Sequence, residues 1–458
     1  MSQQREQLAS RLGFLLLSAG CAIGLGNVWR FPFITGRFGG AAFVLIYILF
    51  LLIFGLPIMV MEFAIGRASQ QNIGSALKTL QPKGSKWHIY GPIAIGGNYI
   101  LMMFYTVVSG WLLSYFYGML IGDLNGLSPD GVGAYFGGIL ENPAMMTFWM
   151  VVATLLGLGI VGMGLQKGVE RITKYMMTAL FAIMIILVVK SISLPGASEG
   201  LKFYLLPDFG RFKEAGIWSG IYAAMGQAFF TLSLGIGSMA IFGSYIGKER
   251  SLTGESISII GLDTFAALLS GLIIFPAAFA FNINPDAGPS LLFITLPNIF
   301  NAMQNGRLWG TLFFVFMSFA ALSTLVAVFE NIISYWIDVK GWSRKKAVSV
   351  NIFAIIILSM PCVLGFNVLS GFQPLGPGSG VLDLEDLIVS TTLLPLGSLI
   401  FLLFATSKKG WGWKNFIEEA DTGKGIKFPK WSRVYVTYIL PILVLFVFIM
   451  GYLDIFVL

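Results

Sequence analysis

The stretch Ser18-Ala19-Gly20-Cys21-Ala22-Ile23-Gly24-Leu25-Gly26-Asn27-Val28-Trp29-Arg30-Phe31-Pro32 is a glycine-studded interruption in an apolar run that begins at Leu12. A continuous helix satisfies its own backbone in lipid. A broken one frees carbonyls and N–H groups, which are tolerated only where they line a cavity inside protein. Freed carbonyls can hold cations, and N–H groups at the start of a half-helix can hold an anion. A second interruption, Phe229-Phe230-Thr231-Leu232-Ser233-Leu234-Gly235-Ile236-Gly237, lies deeper in the chain. Asp263 puts a carboxylate inside another apolar stretch, where a charge is expensive and calls for a partner. Together these groups point to ion-coupled transport at membrane depth. The alternative for the glycines is close helix packing.

The elements that must position these groups are membrane helices. Hydrophobic residues make up 56% of the 458 residues and charged residues only 11%, far from soluble averages. Apolar stretches between polar breaks place spans near 12–35, 40–65, 89–121, 145–163, 172–190, 217–245, 256–281, 308–337, 347–366, 383–405 and 435–457. The expected fold class is therefore an all-α membrane protein of eleven transmembrane helices. The two interruptions fall in spans one and six, each the first of a set of five. Breaks at matching positions of two halves point to an inverted repeat with a site at the midplane. The expectation is one transporter domain over 1–458, with five-helix repeats over 12–190 and 217–405 and an additional helix over 435–457.

Lys and Arg crowd one set of alternate loops, including Arg5, Arg11, Arg67, Lys78, Lys167, Lys248, Arg344 and Lys408. The positive-inside rule then puts the N-terminus in the cytoplasm and, after eleven spans, the C-terminus outside. The net charge of +7 thus reflects topology, and no nucleic-acid partner is expected. No cleavable signal is visible in the first apolar run. Cys21 and Cys362 read as small packers, and His88 as a solvated loop residue. Gly157-x-Gly159-x-x-Gly162 has dinucleotide-binding spacing without the strand-turn-helix that would give it meaning. An intramembrane enzyme would need a nucleophile–base pair or a metal cluster at depth, and no span holds a His or an HExxH pattern. A channel would need a continuous lined pore, usually built by oligomer symmetry or repeated filters.

The chain resembles the neurotransmitter:sodium symporter family, in particular its bacterial amino-acid members. The resemblance rests on Arg11-Leu12-Gly13, on Gly20-x-Ala22-x-Gly24-Leu25-Gly26-Asn27-x-x-Arg30-Phe31-Pro32 and on Glu62 before Gly66-Arg67. It continues in Gly226-Gln227-x-Phe229-Phe230-Thr231-Leu232-Ser233-Leu234-Gly235 and Gly288-Pro289-Ser290-Leu291-Leu292-Phe293. It covers almost the whole chain. It implies a leucine-transporter-like 5+5 inverted repeat and sodium-coupled uptake of an amino acid across a bacterial inner membrane, by a monomer or weak homodimer among lipids. On that resemblance the substrate carboxylate meets N–H groups around Leu25 and Gly26 and the hydroxyl of Tyr105. Its ammonium faces carbonyls of Ala22, Phe230 and Thr231, with Ser233 near. Cys21, Gly24, Thr324 and the apolar Leu25, Leu101, Phe230, Ile236 and Val328 complete the pocket.

The resemblance further implies two sodium ions. The first takes Ala22, Asn27, Thr231 and Asp263; the second takes Gly20, Ile23, Ala320, Ser323 and Thr324. All-oxygen sets suit a hard cation, although Ser and Thr in spans more often bond back to their own helix. Arg30 with Asp386 would close the outer side, and Tyr105 with Phe230 would form a lid. Arg5 with Asp338, steadied by Ser244 and Tyr245, would close the inner side. Three departures stand out. Thr178 replaces a proline that helps span five unwind, Ile236 replaces a bulky aromatic, and Cys21 replaces a polar residue of a relative. Gly24 stands where amine transporters carry an aspartate, which favours an α-amino acid, and the apolar Leu25, Leu101, Phe230, Ile236 and Val328, with room freed at Ile236, favour a large hydrophobic or aromatic side chain. In animal members a chloride ion sits beside the first sodium; Tyr47, Gln227 and Thr231 match its shell. Asp263 and Ala267 replace an asparagine and a serine there, so chloride independence is expected.

Overall fold

In the computed structural model, residues 5–282 and 291–456 are described. Gly288, Pro289 and Ser290 of the last family motif fall outside the described residues. Those described form helices joined by short turns, with one isolated β-bridge between Arg250 and Lys424. Among the described residues nine helices are long and apolar enough to cross a membrane, and the bent pair Arg11–Ala22 and Gly26–Arg37 makes a tenth span. The expected span at 217–245 is divided into Ile217–Thr231 and Ser238–Gly243, of 15 and 6 residues. Neither piece crosses a bilayer alone, at about 1.5 Å rise per residue; both together account for the eleventh expected stretch.

Local sequence explains where the helices start and stop. The hydroxyl of Ser10 caps the first helix by accepting from the Gly13 N–H at 3.0 Å. Asn142 and Ser343 cap later spans in the same way. Gly122 and Gly341, at φ 97° and 66°, end the two longest helices in the left-handed conformation that glycine adopts without strain. Those two helices, Tyr90–Ile121 and Gly306–Lys340, pack along each other through the middle of the bundle. At the periphery, Lys430–Phe456 buries only 28% of its apolar window, against 83% for Gly306–Lys340, and so presents most of its surface to lipid.

The two interruptions are real departures from helix. In the first, Ile23 takes an extended conformation (φ −73°, ψ 93°) and the flanking halves meet at 58°. In the second, Ser233, Gly235 and Gly237 all have positive φ. Both breaks are buried, so their free backbone groups need partners. Glu62, fully buried on Leu56–Ser69, accepts from the N–H of Gly235 at 2.5 Å and of Met239 at 3.2 Å. Tyr90 donates to the Gly235 carbonyl at 2.7 Å, and Asn98 to that of Ile236 at 2.9 Å. Gln227 donates at 2.9 Å to the Gly26 carbonyl, which also accepts from the Phe31 N–H. Gly66 allows the half-helix Ser238–Gly243 to lie backbone to backbone on this span; a Cβ there would stand 1.8 Å from the Ala240 oxygen.

Thr178 sits within the continuous helix Arg171–Ile192, and its hydroxyl donates to the Lys174 carbonyl at 2.8 Å. The chain therefore stays helical at Thr178, although a wider turn over Leu165–Glu170 precedes it.

Replacing Glu62 by Ala strips two buried N–H groups of their carboxyl acceptor. The expected cost is about 3 kcal/mol, seen as a lower unfolding temperature in detergent. Glu62→Gln, which keeps one acceptor, should lose less. An unchanged melt in Glu62→Ala would contradict this account of the second break.

Candidate functional site

A cavity of about 290 Å³ lies where the two interruptions meet. From the first break it takes Cys21, Ala22, Gly24, Leu25, Gly26 and Arg30; from the second, Phe230, Ser233 and Ile236. Leu101, Tyr105 and Thr324 from the two central helices, and Asp386 from Val381–Asp386, complete the expected part of its wall. Thr231 and Val328 are not on that wall. The Thr231 hydroxyl is turned to Asp263, and Val328 is fully buried within Gly306–Lys340. The sequence reading missed Trp29, Phe33, Phe104, Val108, Leu382, Val389 and Leu394. Helical spacing could have found several, since 101, 104, 105 and 108 share one face.

Glycine matters most at Gly24. A Cβ there would stand 2.7 Å from the Tyr105 hydroxyl and 2.8 Å from that of Thr324. Both hydroxyls thus approach the bare backbone, and the Leu25 N–H donates to Tyr105 across a long 3.5 Å. A weakly engaged N–H beside a phenol is a place where a carboxylate could accept two stronger bonds.

Beside the cavity, Asn27, Asp263 and Thr231 converge in full burial. Asn27 Nδ2 donates to Asp263 Oδ1 at 2.8 Å, and Thr231 Oγ1 to Asp263 Oδ2 at 3.1 Å. The carboxylate has neutral partners but, among the described residues, no ion pair. A small cation fits that donor chemistry: one charge and several neutral oxygens. Among the described residues no three His, Cys, Asp or Glu side chains gather as a transition-metal set. A second oxygen cluster joins the first span to Gly306–Lys340. Ser323 Oγ lies 3.0 Å from the Gly20 carbonyl and 2.8 Å from that of Ala320; Thr324 Oγ1 lies 3.3 and 3.4 Å from the same two. Ile23 still donates its N–H to the Ala19 carbonyl, and its extended ψ of 93° ends the helix there.

The two expected gates differ in state. Arg5 Nη1 lies 2.5 Å from Asp338 Oδ1, and Ser244 Oγ accepts from the same guanidinium at 3.0 and 3.2 Å. The Tyr245 ring lies under the guanidinium at 4.7 Å. Glu330, unforeseen in the sequence, accepts from the Tyr245 hydroxyl at 2.6 Å and pairs with Arg344 at 2.6 Å. At the other end Arg30 and Asp386 line the cavity without a direct ion pair. Arg30 stacks 4.5 Å over Phe230, and Asp386 accepts from Ser390 at 2.5 Å. Tyr105 and Phe230 both face the cavity without a ring-to-ring contact.

The sequence matches the sodium:neurotransmitter symporter family over residues 5–126 and 136–456. It is 38% identical over 409 residues to an uncharacterized sodium-dependent transporter, YhdH, of Bacillus subtilis, covering 89% of each chain. It is 31% identical over 464 residues to an uncharacterized sodium-dependent transporter of Haemophilus influenzae, covering 98% of each. The fold superposes on the crystal structure of MhsT in complex with L-phenylalanine with a TM-score of 0.86 and 38% identity, over 98% of this chain and 100% of that one.

The Arg5–Asp338 pair predicts a local effect. The N–H of Leu8 donates to the Tyr245 carbonyl at 3.1 Å, so the segment after Arg5 is tied to the gate. Asp338→Ala should speed hydrogen exchange across residues 5–10 by about tenfold, equivalent to about 1.4 kcal/mol. Exchange at the native rate would show that the pair does not hold this end shut.

Proposed function

The chain belongs to the sodium:neurotransmitter symporter family, and from that membership and the cavity we propose that it takes up a hydrophobic or aromatic L-amino acid by coupling it to Na⁺. The cycle is alternating access, without chloride. The observation that carries this reading is the meeting of both helix breaks at one apolar-walled cavity, with Asp263 immediately beside it. The substrate carboxylate accepts from the Leu25 and Gly26 N–H groups and from Tyr105. The ammonium faces the carbonyls of Ala22, Phe230 and Thr231, with Ser233 near. Leu101, Phe104, Val108 and Ile236 take the side chain. Arg30 and Asp386 are the charged residues on the wall. The apolar part offers nothing to pair a lysine or glutamate side chain, which would be stranded at high cost. MhsT, the similar structure, was solved with L-phenylalanine, which makes that amino acid the first to test.

Two Na⁺ ions complete the reading. The first takes Ala22, Asn27, Thr231, Asp263 and the substrate carboxylate; the second takes Gly20, Ile23, Ala320, Ser323 and Thr324. One Na⁺ entering down a tenfold gradient releases about 1.4 kcal/mol, and 100 mV adds about 2.3 kcal/mol. Two ions therefore supply about 7 kcal/mol for accumulation. The fixed charge of Asp263 balances the first cation and leaves no electrostatic call for chloride. The closed Arg5–Asp338 pair and the separated Arg30 and Asp386 support a state shut toward the N-terminal, cytoplasmic side. The repeats are 12–190 and 217–405, with 435–457 added, in the bacterial plasma membrane; the C-terminus lies outside, and the working unit is a monomer or weak homodimer.

Uptake of labelled L-phenylalanine into proteoliposomes tests the reading. An inward Na⁺ gradient should drive accumulation, K⁺ should not, and replacing chloride by gluconate should change nothing in the native protein. Asp263→Asn should regain activity only with chloride. Collapse of native uptake in gluconate, or accumulation of dopamine or serotonin with no competition by amino acids, would contradict it. Gly24→Ala should weaken L-phenylalanine binding by about tenfold or more, because the added methyl pushes on both Tyr105 and Thr324. Affinity within a factor of about two of native would remove the first break from the site.

A further inference from the structure

Three buried asparagines connect the cavity to the far gate, and nothing in the binding scheme uses them. Ile236, whose side chain lines the cavity, has its carbonyl bonded by Asn98 Nδ2 at 2.9 Å. Asn98 Oδ1 accepts from Asn331 Nδ2 at 3.1 Å. Asn331 Oδ1 accepts from Asn72 Nδ2 at 2.7 Å, and the same Asn72 amide reaches the Asn331 carbonyl and Ser334 Oγ, each at 2.8 Å. The Asn72 N–H donates to Asp338 Oδ2 at 2.9 Å, and Asp338 receives Arg5 at 2.5 and 2.6 Å. All three asparagines have no solvent exposure.

The run has the properties of a two-state coupler. Each amide is desolvated, so losing a partner leaves an unpaired polar group at a cost far above that of an exposed one. Intermediate arrangements are therefore disfavoured: the bonds hold together or rearrange together. One end is anchored in the non-helical backbone between Thr231 and Ser238, where side-chain bonds stand in for a helical ladder. The other end is the carboxylate of the ion pair. A parallel contact reinforces the path: a Cβ at Gly237 (φ 78°) would stand 2.6 Å from the side chain of Ile73, directly after Asn72.

We propose that Asn98, Asn331 and Asn72 are positioning residues that transmit occupation of the cavity to the Arg5–Asp338 gate, through the Ile236 carbonyl at one end and Asp338 at the other. The bland role for the same residues is to glue the central helices to Ile73–Leu80. The two differ in what a variant changes: glue sets overall stability, whereas a coupler sets how one end answers the other. The proposal rests on the cavity being the amino-acid site.

The test is hydrogen exchange over residues 5–10 in the full-length protein in Na⁺, with and without saturating L-phenylalanine. In native protein, phenylalanine should change that exchange by about threefold or more. Asn331→Ala and Asn98→Asp should bind phenylalanine within about threefold of native while the response at 5–10 disappears. Asn331→Ser serves in place of any variant that fails to bind. A ligand-free cycle separates coupling from stability. Asn98→Asp should alter exchange at 5–10 by about threefold in the intact gate, yet by less than about 1.5-fold once Asp338→Ala has broken it. A full response in the asparagine variants, or effects of Asn98 and Asp338 that simply multiply, would overturn the proposal. If native protein binds no phenylalanine, the substrate reading fails; the ligand-free cycle still decides the coupling.

Discussion

The architecture depends on satisfying backbone where two helices are broken inside a bilayer. A lone unpaired N–H or carbonyl in hydrocarbon costs several kcal/mol. Glu62, Tyr90 and Asn98 come from two helices to meet three such positions, at Gly235, Met239 and Ile236. The helices that supply them must lie in one arrangement, which fixes the packing around the breaks. Gly66 and Gly243 follow from this: each lets Leu56–Ser69 and Ser238–Gly243 approach until a Cβ would strike opposing backbone. The groups left weakly engaged, such as the Leu25 N–H at 3.5 Å from Tyr105, are those on the cavity wall.

This division also sets where charge can reside. Arg67 is fully buried, and its guanidinium pairs with Glu419 at 2.6 Å. Glu330 is fully buried but holds both Tyr245 and Arg344. Asp263 differs, since among the described residues its carboxylate meets the neutral side chains of Asn27 and Thr231 and no cation. Glu62 also lacks an ion pair among the described residues, but its oxygens are taken by backbone N–H groups; Asp263 is bonded to an amide and a hydroxyl whose own oxygens can join it around a cation. On the proposed reading the cation that Asp263 balances also lies against the substrate carboxylate, which ties substrate to ion.

The spans and both breaks were legible because lipid imposes long apolar runs and because glycine clusters inside them have few innocent uses. The cavity residues near the breaks were legible by resemblance and came together as a wall, apart from Thr231 and Val328. Less visible was the rest of the wall, Phe104, Val108 and Val389, since apolar residues in an apolar helix carry no mark of which face they share. Glu62 stood in a motif, but its role as acceptor for the second break depends on a contact 173 residues away. Asn98 and Asn331 were invisible for the same reason. A single polar residue in a span says that a partner exists, not which one. At Thr178 the sequence signalled a departure, and the helix there is indeed continuous.

The central claim is that the amino acid and Na⁺ share one site built on the two breaks. Equilibrium binding of labelled L-phenylalanine to purified protein, with Na⁺ replaced stepwise by K⁺ at constant ionic strength, tests it most directly. The account predicts affinity at least about tenfold higher in Na⁺ than in K⁺, with the difference largely lost in Asp263→Ala. Equal affinity in the two salts, or an undiminished sodium effect in Asp263→Ala, would contradict it.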